Sequence, residues 1–270
     1  MKVAFIGGGN MAGAIVGGLI AKGVRGDDIA VVEPSAEARA RLAAQFDVNA
    51  LEAPGEEIGR VDAIVLAVKP QVMREAAAAL KPFLARQLVI TIAAGIRLAD
   101  LSRWLGGYKR LVRAMPNTPA LVHAGVTGLF ADDSVTAPDR QLAERLLATV
   151  GVTVWFDDEA LLDAVTAVSG SGPAYVFYAM EALEAAAKEL GIAPEKARTL
   201  AFGTFVGAAK LAIERAEDPA KLRANVTSKG GTTERALSVL EAAQVREKLI
   251  EAVKAAAARS RELGEEFGKG

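Results

Sequence analysis

The sequence predicts an α/β Rossmann-like N-terminal domain with a parallel-rich sheet, followed by an all-α C-terminal dimerisation domain. Short β-branched runs alternate with helical patterns as far as Asp157, and the first run enters a helix through a glycine-rich turn. Beyond Asp157 no strand-like run follows, only long Ala/Leu/Glu/Lys segments. Alternation of this kind is the pattern of a doubly wound sheet, and its loss marks a change of architecture. The boundary is placed at residues 158/159, giving a dinucleotide-binding domain over 1–158 and a helical dimerisation and substrate-binding domain over 159–270.

The expected strands are Val3–Ile6, Ile29–Val32, Ala63–Val68, Leu88–Ile92 and Leu111–Ala114. Each is short, nearly all apolar and bounded by Gly, Pro or charge, which reads as burial on both faces of a parallel sheet. Between them lie the helical stretches Ala12–Lys22, Ala36–Gln45 and Val72–Leu80. Two further strands, near Val126–Phe130 and Val152–Phe156, flank a helix from Pro138 to Thr149. In the second domain, helices are expected over Pro173–Leu190, Pro194–Glu214 and Gln244–Leu263. Pro194 stands at a helix start, as does Pro219 behind Asp218, a good N-cap residue. Apolar residues fall on several faces of these helices, as in Tyr175, Phe177, Tyr178 and Met180. That pattern favours burial against a second subunit over a thick monomeric core.

The composition narrows the function. The chain has 270 residues, 51% of them hydrophobic and 24% charged, with a net charge of −1. A large core is available, and no electrostatic footprint for nucleic acid is visible. Cysteine is absent and His123 is the single histidine. Thiolate catalysis, disulfides and His- or Cys-rich metal sites are therefore excluded, and no metal is expected. His123 itself reads as a loop residue. No signal-like segment precedes Lys2, and Gly or charge interrupts every apolar stretch before about 18 residues. A soluble, cytoplasmic protein with no membrane partner is expected.

The strand Lys2–Ile6 runs into Gly7-Gly8-Gly9-Asn10-Met11-Ala12, a G-x-G-x-x-A turn at the start of a helix. Gly7 permits the tight turn, Gly9 lets backbone approach a pyrophosphate, and Ala12 allows close packing of helix on strand. The helix N-terminus presents free N–H groups to the anion. Glu33 ends the second strand, where a carboxylate accepts from an adenosine ribose and repels a 2′-phosphate. Arg39 lies near enough in sequence to offset it in part. Ala67-Val68-Lys69-Pro70 and Ala93-Ala94-Gly95 follow two further strands, and ligands of open α/β sheets bind outside such carboxyl ends. Small residues there leave room for ribose and nicotinamide, while Lys69 is placed to contact a cofactor hydroxyl or phosphate. Surface charge is the alternative for Glu33 and Lys69.

Three segments have compositions that packing does not explain. Met115-Pro116-Asn117-Thr118-Pro119 ends a strand in a stiff loop. Ser169-Gly170-Ser171-Gly172-Pro173-Ala174-Tyr175 opens a long helix, and Ser228-Lys229-Gly230-Gly231-Thr232-Thr233-Glu234 opens another. Gly-Gly followed by hydroxyls at a helix start is an anion-binding arrangement of a size that suits a carboxylate. Helix capping is the alternative for each loop taken alone.

Together with the Gly-Asn-Met-Ala start, Ala-Val-Lys-Pro and Ala-Ala-Gly, these segments closely resemble pyrroline-5-carboxylate reductases, from about Val3 to Leu263 and in family order. The resemblance implies reduction of L-1-pyrroline-5-carboxylate to L-proline with NADPH or NADH, the last step of proline biosynthesis. It implies an interlocked homodimer through the helical domain, with dimers assembling into a ring, and a substrate between the nicotinamide and the Gly-Gly-Thr-Thr turn. By position it assigns Gly230, Gly231 and Thr232 to the substrate carboxylate and Thr233 to the ring nitrogen, as the catalytic residue. Glu159 falls near that nitrogen and Ser171 among the substrate contacts. Asn117 and Asn225 fall among the cofactor contacts, with the residues of the glycine turn and strand ends. Many family members carry a small hydroxyl residue where Glu33 stands, so the choice between NADPH and NADH stays open. A hydroxyacid dehydrogenase of the 6-phosphogluconate type is the alternative enzyme, although the Ser169–Tyr175 helix start lacks that group's lysine. A dinucleotide-binding regulatory protein without catalysis is the other alternative.

Overall fold

The computed structural model describes residues 1–269. They form two compact units, one of Met1–Ser171 with the chain from Ala255 onward, the other Gly172–Lys254. The first opens with β1 (Val3–Ile6), α1 (Asn10–Ala21), β2 (Ile29–Val32), α2 (Ala36–Phe46), β3 (Asn49–Leu51) and β4 (Ala63–Leu66). It continues with α3 (Met73–Leu80), β5 (Leu88–Thr91), α4 (Leu98–Trp104), β6 (Leu111–Met115), β7 (Gly125–Ala131), α5 (Ala137–Leu147), β8 (Gly151–Trp155) and α6 (Leu161–Val165).

The strands make one eight-stranded sheet among the described residues, in the order β3-β2-β1-β4-β5-β6-β7-β8. All neighbours are parallel except β6 and β7, where Val112 pairs with Ala131 and Met115 with Gly128. The reversal at β1 and β4 opens a crevice at the carboxyl ends of the strands, the usual ligand position in such sheets. Strands β1, β2, β4 and β5 are buried on both faces, which is why they read as unbroken apolar runs. One core layer packs α1 and α5 residues such as Ile15, Val16 and Leu146 on one face. The other packs Met73, Leu80 and Leu101 of α3 and α4 on the opposite face.

Three elements were not expected. β3 is a three-residue edge strand with no buried residue, so its sequence carries no apolar run. α4 spans only seven residues, too few for a periodic signal. α6 passes directly into a π-turn at Thr166–Gly170, which shifts the phase of a helical pattern at the start of the Ser-Gly-Ser segment.

The second unit is helical: α7 (Gly172–Glu189), α8 (Pro194–Arg215), α9 (Pro219–Asn225), α10 (Thr232–Ala242) and the start of α11 (Val245–Gly268). Asp218 caps α9, its Oδ1 accepting from Ala220 N at 2.7 Å. α7 and α8 pack on each other, yet α7 buries no residue fully and α8 only Ala197 and Ala201. Phe177, Tyr178, Val206 and Ile213 are all exposed.

Below the sheet, Arg110 Nε donates to Asp139 Oδ2 at 2.9 Å, and Asp139 closes a capping box with Thr136 at the start of α5. Arg110 beside it holds the Asp139 carboxyl below the usual carboxylate range, against the opposing effect of burial. A depressed carboxyl contributes stability above its unfolded value of about 4 and loses it as pH falls through the folded value. Asp139→Asn is therefore expected to lower the stability at neutral pH by about 1–3 kcal/mol. The gap to wild type should close below about pH 4. Thermal melts of both proteins across pH check this, and a gap that is constant with pH contradicts it.

Candidate functional site

The glycine turn lies at the carboxyl end of β1. Gly7 has φ +100°, and a Cβ there would meet the Ala67 carbonyl oxygen at 2.8 Å. Its N–H donates to Val32 O at 2.8 Å, so the turn is tied to β2 while pressed against β4. Gly9 stands at the N-cap of α1 with exposed extended backbone and no side-chain cap among the described residues. The first turn of α1 holds no acidic residue. Its N–H groups are thus free to meet an anion, with the partial positive charge of the helix end behind them. Asn10 is exposed, Met11 half-buried, and Ala12 is buried where the helix approaches the sheet.

Beside this turn a cavity of ≈ 400 Å³ opens over the strand ends, lined by Ile6, Gly7, Val32, Pro34, Val68 and Ala76 among others. A largely apolar slot, with Glu52 and Glu75 also on its lining, next to an uncapped helix N-terminus fits an adenosine with its pyrophosphate, so the residues present fit a dinucleotide. Glu33 follows β2 beside the glycine turn. Its Oε2 accepts from Gly8 N at 2.9 Å and its Oε1 from Ser35 N at 3.0 Å. Arg39 does not meet that carboxylate. Its guanidinium donates to the Glu33 and Pro34 carbonyls at 2.8 and 2.7 Å and to Glu52.

The other strand-end residues divide. Lys69 is exposed and has no partner among the described residues, while Ala67, Val68 and Pro70 are half-buried. Ala93 is buried, and Ala94 alone of its trio is half-exposed. Gly95 has φ +75°, and a Cβ there would lie 3.1 Å from Phe267 in α11. Helix packing therefore accounts for Gly95. Asn117 is buried with both ends of its amide engaged: Oδ1 accepts from Val126 N at 2.8 Å and Nδ2 donates to Ser169 O at 3.0 Å. Glu159 Oε1 accepts from Leu98 N at 2.8 Å and lies 3.2 Å from Arg113 Nη1. Ser171 Oγ, by contrast, makes no hydrogen bond among the described residues. His123 is an exposed turn residue with φ +56°, its Nδ1 3.2 Å from Thr149 O.

In the helical unit, Gly231 is the N-cap of α10 and no side chain caps it among the described residues. Thr233 is half-buried and Thr232 exposed, so neither hydroxyl is spent on capping. Glu234 folds back so that its Oε2 accepts from Gly230 N at 2.7 Å. A carboxylate oxygen thus already rests on this turn, which shows that its backbone accommodates that group. Asn225 is the exposed last residue of α9.

The charged residues Arg113 and Asp163 were not singled out from the sequence, and both are nearly sealed from solvent. Their signal was there: each is the one charge in an apolar run, Leu111-Val112-Arg113-Ala114 and Leu161-Leu162-Asp163-Ala164-Val165. Among the described residues no cluster of His, Cys, Asp or Glu is arranged to hold a metal, and no helix is long and apolar enough to cross a membrane.

Residues 159–263 match the family model described as pyrroline-5-carboxylate reductase dimerisation, and residues 2–95 that described as NADP oxidoreductase, coenzyme F420-dependent. The chain is 45% identical to the pyrroline-5-carboxylate reductase of Pseudomonas aeruginosa, covering 99% of this chain and 98% of that one. A solved pyrroline-5-carboxylate reductase from Coxiella burnetii superposes with a TM-score of 0.92 at 42% identity, over 97% of this chain and 98% of the other. The Plasmodium falciparum pyrroline carboxylate reductase, solved with NADP bound, superposes with a TM-score of 0.86 at 28% identity, over 98% of each chain.

The packing role of Gly95 is open to test. Gly95→Ala should cost about 1–3 kcal/mol through strain and the clash with Phe267. Phe267→Ala in that background should recover part of the melting temperature. Affinity for a reduced dinucleotide, read by fluorescence titration, should change little. Lost affinity at an unchanged melting temperature would assign Gly95 to the cofactor instead.

Proposed function

The chain belongs to the pyrroline-5-carboxylate reductase family, and on that premise we propose how its own residues reduce L-1-pyrroline-5-carboxylate to L-proline. The observation that carries the reading is the start of α10, which no side chain caps and where the Thr232 and Thr233 hydroxyls behind Gly230-Gly231 are unspent among the described residues. The hydroxyacid dehydrogenase and the non-catalytic binder are set aside by the full-length relatedness to reductases.

Thr232 holds the substrate carboxylate, Gly231 joins it when its N–H leaves Ser228 O, and Gly230 joins when Glu234 swings off its N–H. Free N–H groups at a helix start, backed by the helix dipole, suit that single negative charge. Thr233 donates or accepts at the ring nitrogen and fixes the plane of the imine. Ser171 supplies a further hydroxyl to the substrate, and Asn225 contacts the cofactor. A reduced dinucleotide held by the α1 turn would supply the hydride to the carbon of the protonated imine, leaving the ring nitrogen as the secondary amine of proline. An imine is most electrophilic when it arrives protonated, so the residues need only orient it, and a site without histidine or cysteine suffices. The second unit forms the homodimer, and dimers associate further into a ring.

Glu33 sets the cofactor preference. Its carboxylate is held on Gly8 N and Ser35 N, and Arg39 is turned to backbone carbonyls; in this reading that carboxylate meets the adenosine 2′ substituent. A carboxylate and a phosphate charge about 4 Å apart repel by about 1 kcal/mol in water and about 4 at an effective dielectric near 20. NADH is the cofactor this arrangement favours. Glu33→Ser should raise the kcat/KM ratio for NADPH over NADH by about tenfold or more. An unchanged ratio would mean that Glu33 does not face the ribose.

Thr233→Val keeps shape and removes the hydroxyl. Since that hydroxyl caps nothing, the melting temperature should hold. The kcat/KM for the imine should fall by the equivalent of about 1–3 kcal/mol, with cofactor affinity unchanged. Full kcat/KM in this variant would remove Thr233 from the chemistry.

A further inference from the structure

The end of β6 grips the segment from Glu159 to Ser171 at three places. Arg113 Nη1 lies 3.2 Å from Glu159 Oε1 and Nη2 3.6 Å from Asp163 Oδ1. Two residues on, the methyl group of Met115 lies so close that a Cβ on Gly170 would meet it at 2.8 Å. Two residues further, Asn117 Nδ2 donates to Ser169 O at 3.0 Å while Oδ1 accepts from Val126 N. The gripped segment is α6 and the π-turn that delivers Ser171.

The ionic part of this grip joins four charged side chains, with Asp163 Oδ2 buried and accepting no hydrogen bond among the described residues. Asp163 also accepts from Ser260 Oγ at 2.8 Å and faces Arg97 Nη2 at 3.7 Å, and Glu159 accepts from Leu98 N. Two guanidinium groups thus balance two carboxylates in a region where Arg113 and Asp163 are only 3% and 4% exposed. Burying such a cluster stabilises a fold little better than apolar side chains of the same volume. What charges and directed hydrogen bonds add is a fixed orientation. The hydroxyls along the segment follow the same logic. Thr166 Oγ1 donates to Leu162 O and Ser169 Oγ to Val165 O, both turned back along the helix. Ser171 N donates to Thr166 O at 2.8 Å, leaving its hydroxyl as the one at the end of the turn with no hydrogen bond among the described residues. A π-turn placed there, at the mouth of a helix, is a common way to aim such a group.

We propose that Asn117 and Arg113 are positioning residues that aim the Ser171 hydroxyl at the substrate. This rests on the reading of Ser171 as a substrate contact, and it assigns Asn117 to Ser171 rather than to the cofactor.

The test is a double-mutant cycle of Asn117→Asp with Ser171→Ala. The aspartate keeps an acceptor for Val126 N and sets a second oxygen against Ser169 O, so only the grip on the turn is lost. Each single variant should raise KM for pyrroline-5-carboxylate about tenfold with a smaller change in kcat, and the affinity for NADH, read by fluorescence titration, should stay within about twofold of wild type. The double variant should be no worse than Ser171→Ala alone, because the first residue acts through the second. Multiplying effects would overturn the proposal, as would an Asn117→Asp variant that loses NADH affinity in step with the imine. If Ser171→Ala leaves KM unchanged, the substrate role of Ser171 itself is wrong, and the positioning role falls with it. Should Asn117→Asp fail to fold, the same cycle with Arg113→Lys decides, since a lysine keeps the charge but cannot span both carboxylates.

Discussion

A side chain at position 7 would have to share space with the Ala67 carbonyl, and the glycine there turns the chain at φ +100° instead. Much of the first unit follows from that close approach. β1 can end against β4 and β2, α1 can start at once, and Ala12 can seat the helix on the sheet. Because the turn is backbone only, the donors at the start of α1 stay open and the cavity over the strand ends stays apolar. Glu33 reads the same geometry from the other side, holding Gly8 N with one oxygen and the next turn with the other. Glu33 thereby braces the glycine turn.

The sheet manages its charges in two ways. Below it, Arg110 and Asp139 join β6 to α5 as a bidentate pair with one edge near solvent. In the middle of the same strand, Arg113 is nearly sealed from water and meets the carboxylates of Glu159 and Asp163, which in turn accept from Leu98 N and from Ser260 of α11. The first arrangement is an ordinary staple whose loss shows as stability. The second fixes directions, and its effect should appear in how the imine binds.

The helical unit follows a different rule. Its helices carry large apolar residues on faces that one chain leaves exposed, among them Tyr178 and Val206. The match of residues 159–263 to a dimerisation family gives those faces their reason, since apolar surface of that extent is stable in water when a second subunit covers it. The same span carries the turn of α10, where no side chain caps the helix and two threonine hydroxyls are left unspent among the described residues.

Local physics was enough for much of this protein. Apolar runs gave seven of the eight strands, the central ones because both their faces are buried and edge strand β8 through its valines; β3 escaped because an exposed three-residue edge strand has no apolar pattern to show. The glycine turn, the Glu33 contact with it and the Gly-Gly-Thr-Thr helix start were legible because each is a matter of backbone conformation or of an element adjoining along the chain. Contacts between distant residues were not. Nothing local to Gly95 announces Phe267, nothing near Asn117 announces Ser169, and the charges of Arg113 and Asp163 say only that a partner must exist. Those partners lie from 46 to 172 residues away, and only the folded chain decides which of them meet, because burial forces each polar group to find whichever partner the packing brings within reach.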